Sequence, residues 1–325
     1  MTNLHGAGCV VTGVAGFVGS HLAERLVNIG CRVVGVDDFS SGREENIRSL
    51  KDSDRFALHN LSIRENGLIE RLCDLHGNLQ FCFHLAAIVS VPYSMSHPDE
   101  TMDINFRATG ALIRDAHRLG FKRFIFAGSA AEYGNDRRLP LREAYADGQT
   151  VHLSPYGRAK YLASTETAAS PLGVALRFFN IYGPRQDPGS PYSGVISRFV
   201  DMALERKPLT IFGDGLQTRD FIYVSDVVEA YLAAAGLSMS NPIPPAGIYN
   251  VGTGQAVTIR QLADTIMNLA QYSEPVRFLP ERPGDIRHSL ADVHAFETAA
   301  GWRAQVPLSS GLRQTLLWAK KAEHE

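Results

Sequence analysis

Three glycines spaced three residues apart, Gly13, Gly16 and Gly19, constrain the fold of this chain more than any other sequence feature. A short apolar run at 8–12 precedes them, and apolar residues at helical spacing follow at 21–29. Between a strand and a helix, the first glycine permits a tight turn, the second lets backbone approach phosphate, and the third lets the helix pack on the strand. Because a helix N-terminus also attracts anions, this segment predicts a site for a dinucleotide pyrophosphate.

The first 130 residues alternate between short apolar runs and helical patterns. We expect further strands at 32–36, 56–58, 81–85 and 124–127, and a helix at 108–119. Such alternation indicates a parallel sheet covered by helices on both faces. The predicted fold class is therefore α/β, a doubly wound parallel sheet of the Rossmann type, with a smaller C-terminal domain for substrate.

The pattern changes beyond residue 180, where prolines such as Pro184, Pro188 and Pro191 interrupt it. Regular structure is expected again in a helix at 224–235, a strand at 248–251 and a last helix at 308–320. We predict a cofactor-binding domain at 1–178, with a returning segment near 224–256, and a substrate domain at 179–325.

Composition excludes several classes of protein. The chain has 325 residues, is 45% hydrophobic and carries a formal net charge of -2, so it offers no basic field for nucleic acid. The first residues lack the pattern of a signal peptide, and no apolar run approaches the ~18 residues of a membrane span. The four cysteines form no C-x-x-C pair and read as reduced thiols, which favours a cytoplasmic protein without membrane contact. The eleven histidines lack metal-ligand spacing, so no metal site and no metal hydrolase is expected.

Asp37 ends the second predicted strand, at about the ~20-residue spacing expected of an acid that binds the adenosine ribose. Asp38 follows it directly. A carboxylate at this place repels a 2′-phosphate, so NAD is favoured over NADP as the cofactor. Arg43 leaves an alternative open, because a nearby arginine could accept that phosphate.

A second motif carries acid–base chemistry. Tyr156 and Lys160 are four residues apart and therefore share a helix face. We expect the ammonium to lower the pKa of the phenol below its reference value of about 10, so that a phenolate can take a proton from an alcohol. Ser129 follows the predicted strand at 124–127, at the end where an open sheet binds ligands, and could hold the substrate oxygen.

These motifs, together with others along the chain, resemble the extended short-chain dehydrogenase/reductase family, and most of all its UDP-hexose 4-epimerases. The likeness extends from Gly13 to about Asp292. It is carried by T-G-V-A-G-F-V-G-S at 12–20, D-D-F-S-S-G at 37–42, H-L-A-A at 84–87, S-V-P-Y-S at 90–94, S-P-Y-G-R-A-K at 154–160, R-F-F-N-I-Y-G-P-R-Q-D-P at 177–188, R-D-F-I-Y-V at 219–224 and R-P-G-D at 282–285.

The resemblance implies roles for particular residues. Tyr156 would be the general base and acid, Lys160 its electrostatic partner and Ser129 the hydrogen-bonding third member. The NAD site would consist of Gly13, Gly16, Phe17, Val18, Gly19, Asp37, Asp38, Asn60, Leu61, Ala86 and Ala87, with Tyr156 and Lys160. Asn60 departs from the aspartate usual near the adenine, but its amide oxygen can still accept a hydrogen bond. The UDP-sugar site would consist of Ser90, Asn180, Val195, Arg219, Arg282, Asp285 and Ser289. Guanidinium groups suit the diphosphate, which Arg219 and Arg282 would clamp.

Related dehydratases and decarboxylases need a further acid or base after the serine, and this chain has Ala130 and Ala131 there. Glu132 stands one residue out of register. The resemblance therefore implies an isomerase that oxidises carbon 4, lets the 4-keto sugar rotate and reduces the other face. The small Ser289 suggests UDP-GlcNAc and UDP-GalNAc as substrates, and we also expect activity on UDP-Glc and UDP-Gal.

Other readings stay open. Within enzymes they are a nucleotide-sugar reductase, a dehydratase or an epimerase of uronic acids; outside enzymes, a non-catalytic dinucleotide sensor. Family members usually dimerise through two helices, here near 105–119 and 156–169, so a homodimer is expected. Ala163 and Ala168 would permit close packing between subunits, although alanines in an ordinary buried helix look the same.

Overall fold

The computed structural model describes residues 6–187, 194–238, 242–282 and 284–322. The predicted loop prolines Pro188 and Pro191, and Pro283 of the R-P-G-D motif, lie outside the described residues.

A seven-stranded parallel sheet forms the centre of the molecule, in the order β11-β6-β5-β4-β1-β2-β3. Its strands are β1 (Gly8–Thr12), β2 (Arg32–Asp37), β3 (Phe56–Asn60), β4 (Phe81–His84), β5 (Arg123–Ser129), β6 (Gly173–Phe178) and β11 (Gly247–Val251). The order runs outward in both directions from β1 and β4, which is the doubly wound arrangement. The predicted fold class is thereby confirmed.

Helices cover both faces of this sheet. The longer ones are α1 (Phe17–Asn28), α2 (Leu68–His76), α5 (Thr109–Arg118), α6 (Pro155–Ala169), α8 (Val224–Ala235) and α10 (His294–Ala300). The short helices α3 (Val91–Ser96) and α4 (Pro98–Met102) lead into a π-helix at Asp103–Ala108, and 3₁₀ turns lie at Glu44–Leu50, Ala130–Tyr133 and Glu143–Tyr145. One apolar cluster joins α1 and α8 to the sheet, and another joins α2 and α5 to its other face.

The predicted helices and strands agree with the structure in type, but several of them begin or end at a different residue. The helix expected at 21–29 begins four residues earlier, at Phe17, because the glycine turn feeds directly into it. The strand expected at 124–127 extends to Ser129. The helix expected at 108–119 begins in the π-helix, whose wider turn has no simple apolar period.

A smaller lobe contains the short strands β7 (Asn180–Tyr182), β8 (Thr210–Phe212), β9 (Thr218–Arg219), β10 (Phe221–Tyr223), β12 (Val257–Thr258) and β13 (Arg277–Leu279). They pair as β10–β7, β12–β9 and β13–β8. Helices α7 (Val195–Leu204), α9 (Ile259–Ala270) and α11 (Leu308–Ala322) complete it around their own apolar cluster. Phe17 and Val18, at the start of α1, pack against this cluster, so the predicted cofactor turn lies where the lobe meets the sheet.

In the part of the chain that the structure describes, the helices are all too short or too polar to cross a lipid bilayer.

Candidate active site

The glycine turn has the geometry of a phosphate cradle. Gly13 adopts φ +70°, a conformation that favours glycine, and its N–H donates to the Val36 carbonyl at 2.8 Å. A Cβ on Gly13 would lie 2.8 Å from the Ala86 nitrogen, and one on Gly19 only 2.0 Å from the Gly13 oxygen. The turn therefore excludes side chains at two of its three glycines, which brings β1, α1 and the end of β4 together.

The start of α1 supplies the donors for an anion. Gly16 is the extended residue before the helix, and Phe17 and Val18 are its half-buried first residues. The first N–H groups of a helix have no partner within the helix, and the first turn of α1 contains no acidic side chain. These residues fit the pyrophosphate of NAD. Backbone donors and the helix dipole converge at the turn, and the glycines have no side chains that would keep a phosphate away from the backbone.

Asp37 lies beside the same turn, at the end of β2. Its two carboxylate oxygens accept hydrogen bonds from the N–H groups of Ala15, at 2.8 Å, and Phe39, at 2.9 Å. Burial raises the pKa of this carboxyl above its usual value, while the two backbone hydrogen bonds oppose that rise. Each oxygen retains further acceptor capacity, as the predicted contact with a ribose hydroxyl requires.

A groove of about 620 Å³ opens next to Asp37, and Asn60 at the end of β3 lines it together with Phe39 and Arg43. Arg43 forms an ion pair with Asp187, which extends from the loop after β7. Its guanidinium is therefore already engaged, which weakens the alternative in which Arg43 receives a 2′-phosphate.

The remaining predicted cofactor residues surround this region. Asp38 is exposed and accepts from the Ser40 N–H at 3.1 Å, and the Leu61 N–H donates to the Asp37 carbonyl at 3.3 Å. Ala86, half-buried like Ala87 after β4, donates its N–H to the Thr12 hydroxyl at 3.2 Å.

Helix α6 carries Tyr156 and Lys160 on one face. The Ser154 hydroxyl begins the helix by accepting the Gly157 N–H at 3.1 Å, and Pro155 occupies the first turn. Lys160 is only 3% exposed, and its ammonium donates to the Ala127 carbonyl of β5 at 2.8 Å. The hydroxyl of Ser129, two residues further along β5, forms a hydrogen bond with the Tyr156 phenol. The structure thus brings the three predicted catalytic residues together.

We predicted that Lys160 lowers the pKa of Tyr156. That prediction is wrong when only the groups of the protein, without a cofactor, surround the phenol. Burial raises the pKa of Tyr156, and the Ser129 hydrogen bond only partly opposes this. Burial also lowers the pKa of Lys160 to about 8, so its positive charge is lost as the pH rises through the mildly alkaline range. The spacing of tyrosine and lysine showed that they share a helix face, but it did not show how deeply that face is buried from solvent.

Glu132 is engaged in contacts within the protein. Its side chain is fully buried and forms an ion pair of 2.5 Å with Arg177, whose side chain is equally buried. Both carboxylate oxygens are engaged with groups of the protein. Ala130 and Ala131 occupy the half-buried positions between Ser129 and this carboxylate.

Three predicted substrate residues cluster in the smaller lobe. Arg219 on β9 donates to Asp285 at 2.7 Å, so two of the predicted substrate residues are paired with each other. The N–H of Asp285 donates to the Arg282 carbonyl at 3.2 Å, and the Arg282 guanidinium lies 3.6 Å from the centre of the Phe212 ring. Burial lowers the pKa of Arg219, and Asp285 opposes that shift. Two guanidinium groups at one edge of the lobe can bind a diphosphate.

The other predicted substrate residues lie on separate elements. Asn180 is the exposed first residue of β7, and Val195 is the half-buried first residue of α7. Ser90 is buried and uses its hydroxyl to accept the Tyr93 N–H at the start of α3. Ser289 is buried, and its N–H donates to the Thr218 carbonyl at 3.1 Å, next to Arg219.

Sequence reasoning missed two supporting residues. Arg177 is a charged residue within the buried strand β6, and a charge in an apolar run was the available signal. Asp220 is fully buried and accepts from the N–H groups of Thr253 and Gly254, which fixes the strand that carries Arg219. Among the described residues, no three His, Cys, Asp or Glu side chains are grouped so that they could hold a metal ion.

A doubly wound sheet with a glycine cradle and a Ser–Tyr–Lys set at its carboxyl edge defines a dinucleotide-dependent enzyme of the short-chain dehydrogenase/reductase type. Residues 9–252 match the model of the NAD dependent epimerase/dehydratase family, and the chain belongs to that family. The predictions of an enzyme and of NAD as its cofactor are confirmed.

Similar proteins extend over almost the whole chain. A UDP-glucose 4-epimerase of Mycolicibacterium smegmatis is 34% identical and covers 94% of this chain and 96% of its own. A UDP-N-acetyl-alpha-D-glucosaminuronate decarboxylase of Bacillus cytotoxicus is 33% identical, covering 98% of this chain and 99% of its own. Among solved structures, UDP-N-acetylglucosamine 4-epimerase from Methanobrevibacter ruminantium M1, in complex with UDP-N-acetylmuramic acid, has a TM-score of 0.88 at 32% identity, covering 98% of this chain and 99% of that one.

Proposed function

We propose that the protein is an NAD-dependent 4-epimerase of UDP-hexoses that interconverts UDP-GlcNAc and UDP-GalNAc, and also UDP-Glc and UDP-Gal. One observation supports this above all: the site has a single proton-transfer set. Ser129 forms a hydrogen bond with Tyr156 and Lys160 lies one turn further along the same helix, while Ala130 and Ala131 cannot exchange protons and Glu132 is engaged in a buried ion pair. A site with only this set can oxidise and re-reduce one carbon, but it lacks the second acid or base of an elimination.

In the proposed mechanism, Gly13, Gly16 and the start of α1 hold the NAD pyrophosphate, and Asp37 holds the adenosine ribose. When bound, NAD supplies the acceptor for two electrons from carbon 4 and a positive ring that favours the phenolate. The Tyr156 oxygen would remove the proton of the 4-hydroxyl while hydride leaves carbon 4 for the cofactor, which gives a 4-keto sugar. After the sugar has turned over, Tyr156 would return a proton to the same oxygen while hydride comes back to the opposite face of carbon 4. Ser129 keeps the reacting oxygen in place, and Arg219 and Arg282 retain the intermediate by its diphosphate.

The substrate range rests on Ser289. Its N–H bonds to the carbonyl of Thr218, the residue before Arg219, and we infer that its small side chain borders the region where a tethered sugar would lie. A small residue there leaves room for the acetamido group at carbon 2. The Methanobrevibacter protein named above is a UDP-N-acetylglucosamine 4-epimerase, which supports the same choice.

The test is incubation of the purified protein with each UDP-hexose separately, with no added cofactor, followed by product analysis by NMR. We expect conversion between the 4-epimers until a constant ratio is reached, without net consumption of cofactor. A stable 4-keto-6-deoxy product would replace the proposal with a dehydratase. Release of CO₂ from a UDP-uronic acid would indicate a decarboxylase, and stoichiometric consumption of added NADH or NADPH a reductase.

We also propose that the enzyme is a cytoplasmic homodimer. None of the four cysteines, all within the described residues, is in a disulfide, consistent with a reducing compartment. For the dimer, the helices concerned would be α5 and α6, which an ion pair of Arg114 with Glu166 joins within one chain. Ala163 is fully buried within the subunit, so it serves the internal core. Light scattering coupled to size exclusion should give twice the chain mass; a single chain mass at micromolar concentration would contradict the dimer.

A further inference from the structure

Glu132 has no part in the proposed proton transfer, yet its buried carboxylate has three partners. Oε1 accepts from the Ser129 N–H at 2.9 Å and from the Ser164 hydroxyl at 2.8 Å. Oε2 accepts from Nε of Arg177 at 2.5 Å. A Cβ on Gly128 would lie 2.8 Å from Oε1, so the chain leaves room for this carboxylate against the end of β5.

The partners of Glu132 belong to the elements that carry the catalytic set. Ser129 ends β5 and begins the 3₁₀ turn in which Glu132 lies. Ser164 lies one turn after Lys160 on α6, and therefore on the same face of that helix. The carboxylate thus joins the backbone of one catalytic residue to the helix that bears the other two.

Arg177 connects this carboxylate to the returning strand. Its terminal nitrogen donates to the Glu143 carbonyl at 2.8 Å and approaches the Tyr133 hydroxyl at 3.4 Å. That hydroxyl donates to the Asn250 amide oxygen at 2.5 Å. A fully buried ion pair is a poor source of stability, because desolvation offsets most of the attraction. Its position between β5, α6 and β6 therefore indicates another role.

We propose that Glu132 is a positioning residue for the reaction, which fixes the Ser129 backbone against α6 and sets the electric field in which Tyr156 takes and returns its proton. The role presupposes the proposed epimerase site, but it can be measured without the sugar.

The charge of Glu132 acts on both catalytic groups. It raises the pKa of Tyr156, which disfavours the phenolate, and it raises the pKa of Lys160 against the lowering by burial. The other titratable groups packed around this centre include Tyr133 from the same 3₁₀ turn, whose pKa burial raises, Arg177 from β6, His152 before α6 and His84 from β4. His84 is buried with its pKa lowered to about 3, so it stays neutral over the working range. Removal of the Glu132 charge should therefore move the Tyr156 ionisation to lower pH.

The experiment compares wild type with Glu132→Gln, which retains the shape of the side chain but lacks the charge and one of the two acceptor oxygens. Tyrosinate formation is followed by ultraviolet difference titration of the NAD-loaded enzyme, with Tyr156→Phe subtracted as background. We expect the Tyr156 titration, and the rising limb of kcat against pH, to move to lower pH. At the optimum, kcat should fall on the order of tenfold to a hundredfold, because the amide nitrogen cannot accept from Arg177 and the side chain that fixes the Ser129 N–H therefore shifts, while KM changes little.

Three controls separate charge from structure. Ser164→Ala removes one hydrogen bond and leaves the carboxylate, so it should not move the titration. His152→Gln tests whether ionisation of His152 contributes to the rising limb of kcat against pH, and we expect that it does not. Glu70→Gln removes one partner of an exposed ion pair with Arg118, far from the site, and should resemble wild type in every readout.

Glu132→Gln leaves the Arg177 charge buried without its partner, so it could fail to fold. The double variant Glu132→Gln/Arg177→Met removes both charges and can be titrated in the same way. Arg177 does not contribute directly to the pKa shift of Tyr156, so its replacement should not by itself move the titration. A Tyr156 titration that stays at its wild-type pH in the folded variant would overturn the inference. Wild type that titrates as expected but does not epimerise any UDP-hexose would overturn the proposed function alone.

Discussion

Lys160 is the residue on which the chemistry of this site depends most closely. Its ammonium donates to a backbone carbonyl of β5 and lies 4.7 Å from the centre of the Phe126 ring, and burial lowers its pKa to about 8. A group with this pKa is only partly charged in mildly alkaline solution. The protein therefore holds its tyrosine as a phenol until another positive charge enters the site, which couples proton transfer to the bound cofactor.

Replacement of Tyr156 by phenylalanine removes the proton acceptor and keeps the ring. We expect kcat to fall about 100- to 10,000-fold, the usual contribution of a general base, with NAD affinity nearly unchanged. Steady-state assays with UDP-Glc and a calorimetric NAD titration would measure both. Tyr161→Phe, on the same helix, is the matched control and should keep wild-type kcat. Wild-type turnover in Tyr156→Phe would refute the assignment.

The substitution Ser289→Tyr tests the size of the sugar site. A bulky ring at this buried position should remove activity on UDP-GlcNAc and UDP-GalNAc first, because the acetamido group needs the space. The ratio of kcat/KM for UDP-GlcNAc to that for UDP-Glc should fall at least about tenfold, the scale of discrimination by pocket size. Ser289→Ala, which stays small, should leave the ratio unchanged. An equal loss on both sugars in Ser289→Tyr would show that the position does not select.

At this scale the sequence predicted which residues meet but not their surroundings. The spacing of Tyr156 and Lys160 and the strand before Ser129 were sufficient to place the three together, because helix and sheet periodicity are local properties. The sign of the Tyr156 pKa shift was not accessible, since burial depends on elements distant in sequence. Ser129 and Glu132 form a capping box, S-x-x-E, and that local signal could have indicated where the carboxylate points.

The strand–turn–helix unit β1–α1 is the element that determines whether cofactor binds. Its fit arises from main-chain contacts, with a Cβ on Gly19 reaching 2.0 Å from the Gly13 oxygen and one on Gly16 reaching 3.1 Å. The main chain cannot rotate away as a side chain can. Tolerance to an added methyl group should therefore differ between the glycines of one turn.

We expect a graded series of alanine substitutions. Gly19→Ala should force α1 away from β1 and raise the Kd for NAD more than about tenfold, a loss of about 1.4 kcal/mol or more. Gly16→Ala should have a smaller effect, and Gly148→Ala, whose new Cβ would contact nothing within 4 Å, should have none. Fluorescence titration with NAD on the purified apoprotein gives the three constants. Equal affinities for Gly19→Ala and Gly148→Ala would exclude the cradle.

Element types followed from the sequence wherever one period dominated, as in β1, β2 and α8. The secondary structure after residue 180 was harder to predict from the sequence, because β7, β9 and β10 have only two or three residues each and pair outside the main sheet. Short strands carry too few alternations to be distinguished from loops.

The whole molecule is organised around a sheet that the chain completes late. Strand β11 pairs with β6 at the edge, and α8 covers the sheet through residues such as Val227 and Tyr231. An exposed ion pair between Arg25 and Glu229 adds a further link between α1 and α8. The predicted boundary at 178 stays a prediction, but these contacts imply that the first part depends on the second.

Expression of residues 1–178 alone should therefore yield a protein that aggregates and does not bind NAD. The fragment exposes the edge of β6 and the apolar face that α8 covers. Sedimentation and an NAD titration would measure the outcome, and co-expression of 179–325 should restore a soluble complex. A monomeric fragment 1–178 with the NAD affinity of the full chain would contradict this view.

Strand β11 also has a consequence for biosynthesis. A ribosome delivers the cradle for the dinucleotide within the first twenty residues, but the edge partner of β6 leaves the exit tunnel only after residue 251. Until then the nascent chain carries an unpaired border and an uncovered apolar surface, which are features that chaperones recognise. Translation should thus hold this enzyme in an immature, holdase-dependent form for most of its synthesis, and NAD should bind only after the late strand has inserted.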